Sequence, residues 1–294
     1  MAYFERIGVT GRQERSDVTD TLQRLIRFLV GCDVSILLDE NIAGLIPDYS
    51  LQTCQRIEMG EQCDLVVVVG GDGSLLSAAR DLVDYGTSVI GVNHGRLGFL
   101  TDISPKELET QLGDVLAGKY LEDYRFFLDA RVTRDGQLVG TGSSLNDVVL
   151  HPGKSTRIIE FELYIDNQFV YKQRSDGLII ATPTGSTAYA LSGGGPIMHP
   201  SLDAMVLVPM FPHLLTNRPL VINCESELRL VISNDNSIFP QISCDGQVHI
   251  AGAPGDEIFI RKKKQRLKSV HPLNHNFYEA CRSKLRWNYQ EYGR

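Results

Sequence analysis

Residues 1–122 alternate apolar runs with segments of helical periodicity. Leu65–Val69 is apolar at every position, which is typical of a strand buried on both faces of a parallel sheet. Between Val18 and Leu29, apolar residues recur at the spacing of one helical face. Further strands are predicted at 7–9, 34–38 and 88–92, and further helices at 74–84 and, after a capping box that begins at Ser104, from Pro105 to the residue before Gly118. This alternation predicts an α/β domain with a parallel, Rossmann-like sheet.

The helical period nearly disappears from Phe126 onward, where short strand-like runs follow one another. Two hairpins are predicted, one around the turn Asp135-Gly136 and one around Asp166-Asn167. Further strands are predicted at 148–151, 178–181, 228–233, 241–244 and 257–261, and helical spacing returns at 277–285. We therefore expect an α/β domain over 1–122, a mostly β domain over 123–270, and a C-terminal segment over 271–294 that packs back on the N-terminal domain.

Composition places the chain among globular proteins and narrows its partners. With 294 residues, 43% of them hydrophobic and 22% charged, it has the size of two domains with full cores. A formal charge of −7 argues against a nucleic acid or an anionic membrane as the main partner. No apolar run approaches the ~20 residues of a membrane helix, and the N-terminus has no signal-like apolar region, so a cytoplasmic protein is expected.

Cysteines, histidines and basic residues show no spacing typical of a site. The six cysteines are scattered without a Cys-x-x-Cys pair, which favours reduced thiols over a zinc or redox site. The seven histidines are interpreted as structural, and several stand beside prolines: His151, His199, His213 and His271. The basic run Arg261–Lys268 is more typical of a solvated edge strand or hairpin than of a polyanion-binding surface.

Three glycines surround one carboxylate at the end of the all-apolar strand. The turn Gly70–Ser74 reads Gly-Gly-Asp-Gly-Ser and leads into a predicted helix. Bare backbone at Gly70, Gly71 and Gly73 would let a phosphate approach a helix N-terminus, and Asp72 is the one titratable group in the turn. The turn lacks the lysine of a P-loop and the spacing of a Gly-x-Gly-x-x-Gly motif. The alternative is a plain tight turn in which Asp72 caps the helix.

Small hydroxyl residues and an amide-carboxylate pair mark the second half. Thr182–Tyr189 follows a predicted strand and is rich in hydroxyls, which suit hydrogen bonds to a ribose or a base. A rigid turn that caps a helix is the alternative. Asn146 and Asp147 stand before the strand at 148–151, where they could bind vicinal ribose hydroxyls, although such a pair is more often a turn.

The order and approximate spacing of these motifs resemble those of NAD kinases. The resemblance covers most of the chain and rests on Gly70–Ser74, Leu145–Asp147, Asp176-Gly177 and Thr182–Tyr189, with further likeness at Asn93–Leu100 and Asp245–Gln247. Diacylglycerol kinases and 6-phosphofructokinases share the glycine motif, whereas the hydroxyl-rich segment is more specific to NAD kinases.

The resemblance implies ATP-dependent phosphorylation of the adenosine ribose 2′-hydroxyl of NAD, with a divalent metal such as Mg²⁺, by a homotetramer or homodimer. It implies that Asp72 is the general base. A base fits this chemistry because a ribose hydroxyl is too weak an acid to attack unaided. The resemblance supplies no metal ligand. The nucleotide-binding residues that it implies are Gly70, Gly71, Gly73, Asn146, Asp147, Arg157, Arg174, Asp176, Thr187, Ala188, Tyr189, Ala190, Leu191, Ser192 and Gln247.

Two positions depart from the family pattern, and two other functions stay open. Ser74 stands where threonine is more usual and keeps the hydroxyl. Arg174-Ser175 precedes Asp176 where many relatives have a glycine, and a cation near the nicotinamide would disfavour one redox form of the substrate, which leaves acceptance of NADH open. The alternative functions are another kinase of the diacylglycerol kinase and 6-phosphofructokinase superfamily, and a non-catalytic NAD-binding regulator.

Overall fold

The computed structural model describes residues 3–12, 16–47, 49–93, 98–214 and 216–287. In these ranges the strands are β1 (Arg6–Gly11), β2 (Ser35–Asp39), β3 (Gln52–Cys54), β4 (Leu65–Val69), β5 (Ser88–Val92), β6 (Tyr120–Arg134), β7 (Gln137–Ser144), β8 (Asp147–His151), β9 (Ile159–Ile165), β10 (Gln168–Ser175), β11 (Gly177–Ala181), β12 (Ala204–Met210), β13 (Leu220–Asn223), β14 (Leu228–Ile232), β15 (Gln241–Cys244), β16 (Val248–Ala251) and β17 (Glu257–Pro272). The α-helices are α1 (Ser16–Val30), α2 (Glu40–Ala43), α3 (Arg56–Gln62), α4 (Asp72–Leu82), α5 (Leu108–Leu116), α6 (Tyr189–Ser192) and α7 (Phe277–Leu285). Short 3-10 helices span Pro105–Glu107 and Gly185–Thr187.

The chain divides into two compact units. The first unit is Met1–Tyr124 with Leu267–Arg294, and the second unit is Arg125–Arg266. The long strands β6 and β17 each contribute residues to both units. The functional division predicted from the sequence, with boundaries at residues 122 and 270, stays a prediction.

A parallel sheet in the order β3-β2-β1-β4-β5 lies in the first unit. β4 is buried at every position, as its run of apolar residues predicts. Helix α1 buries Leu22, Leu25 and Ile26 in the same core as apolar side chains of β1 and β4. The predicted α/β fold with a parallel sheet is therefore confirmed.

Some local elements of the first unit differ from the prediction. α4 begins at Asp72 rather than at Ser74. The segment after Ser104 forms a 3-10 turn before α5, and the Ser104 hydroxyl donates to the Glu107 side chain at 2.9 Å instead of capping a backbone N–H, so the predicted capping box is wrong. Sequence reasoning also missed α2, β3 and α3, which span only four, three and seven residues.

Antiparallel strands form the second unit. One sheet has the order β13-β12-β11-β8-β15-β16, and a second group pairs β10, β9, β14 and the start of β17. Asp135 and Gly136 have φ angles of 51° and 77°, and Asp166 and Asn167 of 50° and 64°, as tight two-residue hairpin turns require. The mostly β prediction and both hairpins are confirmed. Sequence reasoning missed β12, β13 and β16.

The basic run Arg261–Lys268 lies within β17, which confirms a strand, but the predicted edge position is wrong because β17 pairs with β14, β5 and β6. Lys262 pairs with Glu225, and Lys263 Nζ lies 3.7 Å from Asp129 Oδ1. The side chains of these two lysines are only 12% and 14% exposed. The expectation of a solvated face is therefore wrong for them, because carboxylates of the same unit neutralise them.

The remaining expectations concern cysteines, membrane helices and the C-terminal segment. All six cysteines are free thiols, in line with the expectation of reduced cysteines. Over the described ranges, every helix is too short or too polar to cross a bilayer. α7 confirms the predicted C-terminal helix and belongs to the first unit. Residues 288–294 lie outside the described part of the chain.

Candidate active site

Strand β4 ends at a turn that requires glycine. Gly70 has a φ of 157°, and a Cβ there would lie 2.3 Å from the Ser74 hydroxyl oxygen. The Gly70 N–H donates to the carbonyl of Val92 on the neighbouring strand β5 at 2.9 Å. Gly71 is the N-cap of α4. The turn therefore places a helix N-terminus at the carboxyl end of the parallel sheet, where anionic ligands bind in open α/β folds.

Asp72 is the first residue of α4, and its half-buried carboxylate contacts the segment that follows β5. Oδ2 accepts the Phe99 N–H at 3.0 Å, and Oδ1 accepts the Leu100 N–H at 3.1 Å. The side chain does not cap α4 itself, so the capping interpretation is wrong. Each carboxylate oxygen has two lone pairs, so each retains one that can accept a proton or a hydroxyl.

The chain passes very close to this carboxylate at Gly98. A Cβ on Gly98 would lie 1.8 Å from Asp72 Oδ1 and 2.6 Å from Thr101 Oγ1, so a side chain there would displace both groups. The Gly98 N–H donates to the Thr101 hydroxyl at 3.2 Å. Of the segment Asn93–Leu100, which resembles NAD kinases, residues 94–97 lie outside the described residues.

The second unit contains a cavity of about 530 Å³, a volume within the range of small-ligand pockets. Five of the predicted binding residues line it: Asn146, Asp147, Asp176, Ala188 and Tyr189. Tyr189 is 47% exposed, so its ring and hydroxyl are accessible to a ligand. This cavity is therefore the candidate nucleotide-binding site of the second unit.

A further carboxylate, Asp245, holds the segment that carries Asn146 and Asp147. It accepts the backbone N–H groups of Leu145 at 3.1 Å, Asn146 at 2.7 Å and Asp147 at 3.3 Å. Its own N–H donates to the Asp147 carbonyl at 2.9 Å. Burial, and then the negative charge of Asp245, raise the pKa of Asp147 to about 7. Sequence reasoning missed this role, for which the Asp245-Gly246 turn was the available signal.

The hydroxyls of Thr182–Tyr189 bond mainly to the protein itself. Thr182, Ser186 and Thr187 donate to backbone carbonyls at 2.5, 2.6 and 3.2 Å. Thr182 and Ser186 are also fully buried. These bonds favour the rigid-turn interpretation for Thr182 and Ser186, and the nucleotide-binding role of Thr187 stays a prediction.

The other predicted binding residues of the second unit lie outside the described lining of the cavity. Arg157 is exposed and donates to the Ser237 hydroxyl at 2.9 Å. Arg174 is exposed, and its Nε lies 4.0 Å from a carboxylate oxygen of Glu160. The remaining residues of this group are Thr187, Ala190, Leu191, Ser192 and Gln247. Their roles stay predictions.

One cluster of the described residues brings metal-ligating side chains together. The ligand atoms of Asp102, His271 and His275 all lie within 4.8 Å of one another. His275 Nδ1 lies 2.7 Å from one Asp102 oxygen, His271 Nδ1 contacts the other, and the two rings stack at 4.1 Å. Two ligand atoms of a tetrahedral zinc ion would lie about 3.3 Å apart. The 2.7 Å between His275 Nδ1 and the Asp102 oxygen therefore indicates a hydrogen bond. Sequence reasoning missed the cluster because Asp102 lies 169 residues from His271.

Comparisons with known proteins agree over the whole chain. Residues 7–120 match the family model of the ATP-NAD kinase N-terminal domain, and residues 145–272 match that of the ATP-NAD kinase C-terminal domain. The NAD kinases of Pseudomonas fluorescens (strain SBW25) and Pseudomonas aeruginosa (strain LESB58) are each 58% identical over 287 residues. Each match covers 98% of this chain and 97% of the relative.

Solved structures of similar proteins extend the likeness to the fold. The crystal structure of yeast NADH kinase complexed with NADH has a TM-score of 0.87 and 25% sequence identity, and covers 97% of this chain and 88% of that chain. The crystal structure of an NAD kinase from Archaeoglobus fulgidus in complex with ATP has a TM-score of 0.72 and 26% identity, and covers 96% of this chain and 98% of that chain.

Proposed function

The chain belongs to the NAD kinase family, which makes it a phosphotransferase with an alcohol acceptor, and we propose that it transfers the terminal phosphoryl group of ATP to the 2′-hydroxyl of the adenosine ribose of NAD. The family resemblance of the motifs is thereby confirmed. The observation that carries the proposed reaction is the Asp72 carboxylate at the carboxyl end of β4, held by two backbone N–H groups and still able to accept a proton.

Asp72 is the proposed general base. A ribose hydroxyl is a very weak acid, so a carboxylate that takes its proton as the oxygen–phosphorus bond forms lowers the barrier. The N–H groups of Phe99 and Leu100 fix the orientation of that carboxylate and leave lone pairs for the substrate. The glycine turn at Gly70–Gly73 lets phosphate oxygens approach the positive end of the α4 dipole.

The donor set of this turn fits a divalent metal that is held mainly by nucleotide phosphates. Mg²⁺ takes oxygen ligands and commonly uses one or two protein carboxylates beside phosphate oxygens and waters. Asp72 is the carboxylate of the turn, and because each of its oxygens retains one lone pair, it would hold the metal with one oxygen and leave the other for the ribose proton. When bound, Mg²⁺ would offset the charge that gathers on the transferring phosphoryl group.

We assign the binding of NAD to the cavity of the second unit. Asp147 and Asn146 offer acceptors and a donor for ribose hydroxyls or adenine, and Tyr189 offers a ring face. Asp176 and Ala188 line the same cavity. By family likeness the binding set also includes Arg157, Arg174, Thr187, Ala190, Leu191, Ser192 and Gln247.

The proposal also covers the domain division, the location and the oligomeric state of the protein. Residues 1–122 are the domain that carries the glycine turn, residues 123–270 the NAD-binding domain, and residues 271–294 a segment that returns to the N-terminal domain. A cytoplasmic location and a homotetramer or homodimer complete it. Family likeness supports the oligomer.

An assay of the purified protein with NAD, ATP and Mg²⁺ tests the reaction. We expect NADP, detected with an NADP-specific dehydrogenase, to form only when all three are present. Polyphosphate in place of ATP and NADH in place of NAD define the donor and the redox form accepted. No NADP above a control without enzyme would contradict the proposal. Binding of NAD without transfer from any donor would favour a regulator, and transfer to a lipid or sugar alone would favour another kinase.

The Kd for NAD is expected to rise as the pH falls from about 8 to about 6. The pKa of Asp147 is raised to about 7, so its carboxyl is mostly ionised at the upper pH and mostly protonated at the lower one. Only the ionised form accepts hydrogen bonds with both oxygens. Calorimetry with NAD alone should therefore show binding about tenfold weaker at the lower pH.

Two variants separate Asp147 from general effects of pH on the protein. Asp147→Asn removes the titrating group and should flatten the dependence. Asp166→Asn replaces a carboxylate in a hairpin turn of the same unit and should keep the dependence. A wild-type Kd that does not change over this pH range would contradict the assignment of Asp147 to the NAD site.

A further inference from the structure

The segment 98–103 contacts one carboxylate of the first unit, Asp72, and carries another, Asp102. On one side, the N–H groups of Phe99 and Leu100 donate to Asp72. On the other side, the segment's own carboxylate, Asp102, accepts from two imidazoles of the C-terminal part of the chain. The segment therefore connects the candidate base, Asp72, with His271 and His275, to which no catalytic role has yet been assigned.

The two imidazoles occupy fixed positions. His271 is the second-last residue of β17 and is 5% exposed. His275 follows the strand, and its backbone N–H donates to the Pro272 carbonyl at 2.9 Å. Their rings stack at 4.1 Å, and each directs Nδ1 to a different oxygen of Asp102. The carboxylate is thus bridged by two donors. Burial by itself would raise the pKa of Asp102, but these hydrogen bonds outweigh it and lower the pKa to about 2.

The backbone between the two carboxylates has little freedom. The N–H groups of Asp102 and Ile103 both donate to the Gly91 carbonyl at 3.2 Å. The Thr101 hydroxyl accepts the Gly98 N–H at 3.2 Å. One residue separates Leu100 from Asp102, and one residue extends at most about 3.6 Å. A displacement of Asp102 is therefore passed to the N–H groups that hold Asp72.

We propose that His271 and His275 are positioning residues for Asp72, because by bridging Asp102 they hold the segment 98–103 where its N–H groups orient the Asp72 carboxylate. The proposal rests on the proposed function in one respect, the role of Asp72 as base. It gives two histidines, one at the C-terminal end of β17 and one just after it, a part in the rate of phosphoryl transfer. Loss of a bridging imidazole leaves Asp72 in place but widens the range of orientations of its carboxylate, which lowers the fraction of productive encounters.

If His271 and His275 only stabilise the fold, their replacement should have a different effect from that expected of positioning residues. An anchor affects the free energy of unfolding and leaves kcat of the folded enzyme unchanged. A positioning pair affects kcat while the KM values for NAD and ATP stay the same, because neither imidazole belongs to the proposed binding set. A fall in kcat at constant KM in the folded variant therefore distinguishes a positioning role from a purely structural one.

His275→Ala is the first test, since His275 is 19% exposed and its removal leaves no large buried cavity. We expect kcat to fall about tenfold and both KM values to stay within about twofold. His275→Asn supplies an amide N–H for Asp102 and should recover most of the lost kcat. His199→Ala removes an exposed histidine of the second unit that bonds Ser201, and it should leave kcat unchanged.

Hydrogen–deuterium exchange of a peptide that spans residues 98–103 supplies a readout without catalysis. We expect faster exchange of the Phe99 and Leu100 amides in His275→Ala, and wild-type exchange in His275→Asn and His199→Ala. If Asp72→Asn keeps wild-type turnover, the base assignment fails although exchange can still respond to His275. If His275→Ala changes neither kcat nor this exchange, or if its kcat loss is matched by a rise in KM, the positioning proposal is overturned.

Discussion

Replacement of Asp72 by asparagine is expected to lower kcat by about 10²- to 10⁴-fold. Asparagine keeps the shape of the side chain but cannot take the proton of a ribose hydroxyl at neutral pH. It also offers one acceptor oxygen where the carboxylate uses two, so one of the N–H groups of Phe99 and Leu100 loses its partner. Both effects act on the transition state. The Kd for NAD should stay within about threefold of the wild-type value, because the proposed NAD ligands belong to the second unit.

Asp64→Asn is the matched control for this substitution. Asp64 precedes β4, at the opposite end of the same strand, and its Oδ2 accepts the N–H groups of Glu5 at 2.8 Å and Arg6 at 3.0 Å. It is thus another carboxylate of the first unit that holds two backbone N–H groups. Steady-state kinetics should give near wild-type kcat for Asp64→Asn, and calorimetry the NAD affinity of both variants. Equal kcat for Asp72→Asn and wild type would exclude Asp72 as the base.

The elements that the sequence predicted correctly are those whose local pattern already agrees with their final environment. β4 and β5 have the predicted bounds, because their apolar runs match burial on both faces. Asp135-Gly136 and Asp166-Asn167 adopt the positive φ angles for which these residue types are suited. β12 was missed although it is apolar, since Pro209 within it is unusual for a strand.

For the candidate site, the sequence indicated the residues but not the contacts that hold them. Residue types and motif order identified Asp72, Asn146 and Asp147 as candidates, because glycine turns and carboxylates are visible in the sequence. Their hydrogen-bond partners were not visible. Leu100 lies 28 residues after Asp72, and Asp245 lies 98 residues after Asp147, so these contacts depend on how strands are ordered in the sheets. The same reason explains why two histidines with no metal spacing meet at Asp102.

This dependence on the fold makes Gly98 the most sensitive position beside the proposed base. Gly98→Ala is expected to lower kcat by about 10²-fold, the effect of misplacing a catalytic group by about 1 Å. The added Cβ would lie 1.8 Å from Asp72 Oδ1 and 2.6 Å from Thr101 Oγ1, so the Asp72 carboxylate must leave its two N–H donors. The KM for NAD should change little, since the three atoms nearest to the added Cβ belong to Asp72 and Thr101, and neither residue is in the proposed NAD-binding set.

Gly44→Ala provides the control, because a Cβ at Gly44 meets no atom within 4 Å and its φ of −64° suits alanine. Its kcat and thermal unfolding midpoint should equal those of the wild type. A double-mutant cycle then identifies the cause of the Gly98→Ala effect. If the alanine acts by displacing Asp72, it should cost much less than 10²-fold (about threefold or less) in the Asp72→Asn background, where the base is already absent. A full 10²-fold loss in both backgrounds would show instead that Gly98→Ala damages the enzyme independently of Asp72, and circular dichroism would show whether that damage is unfolding.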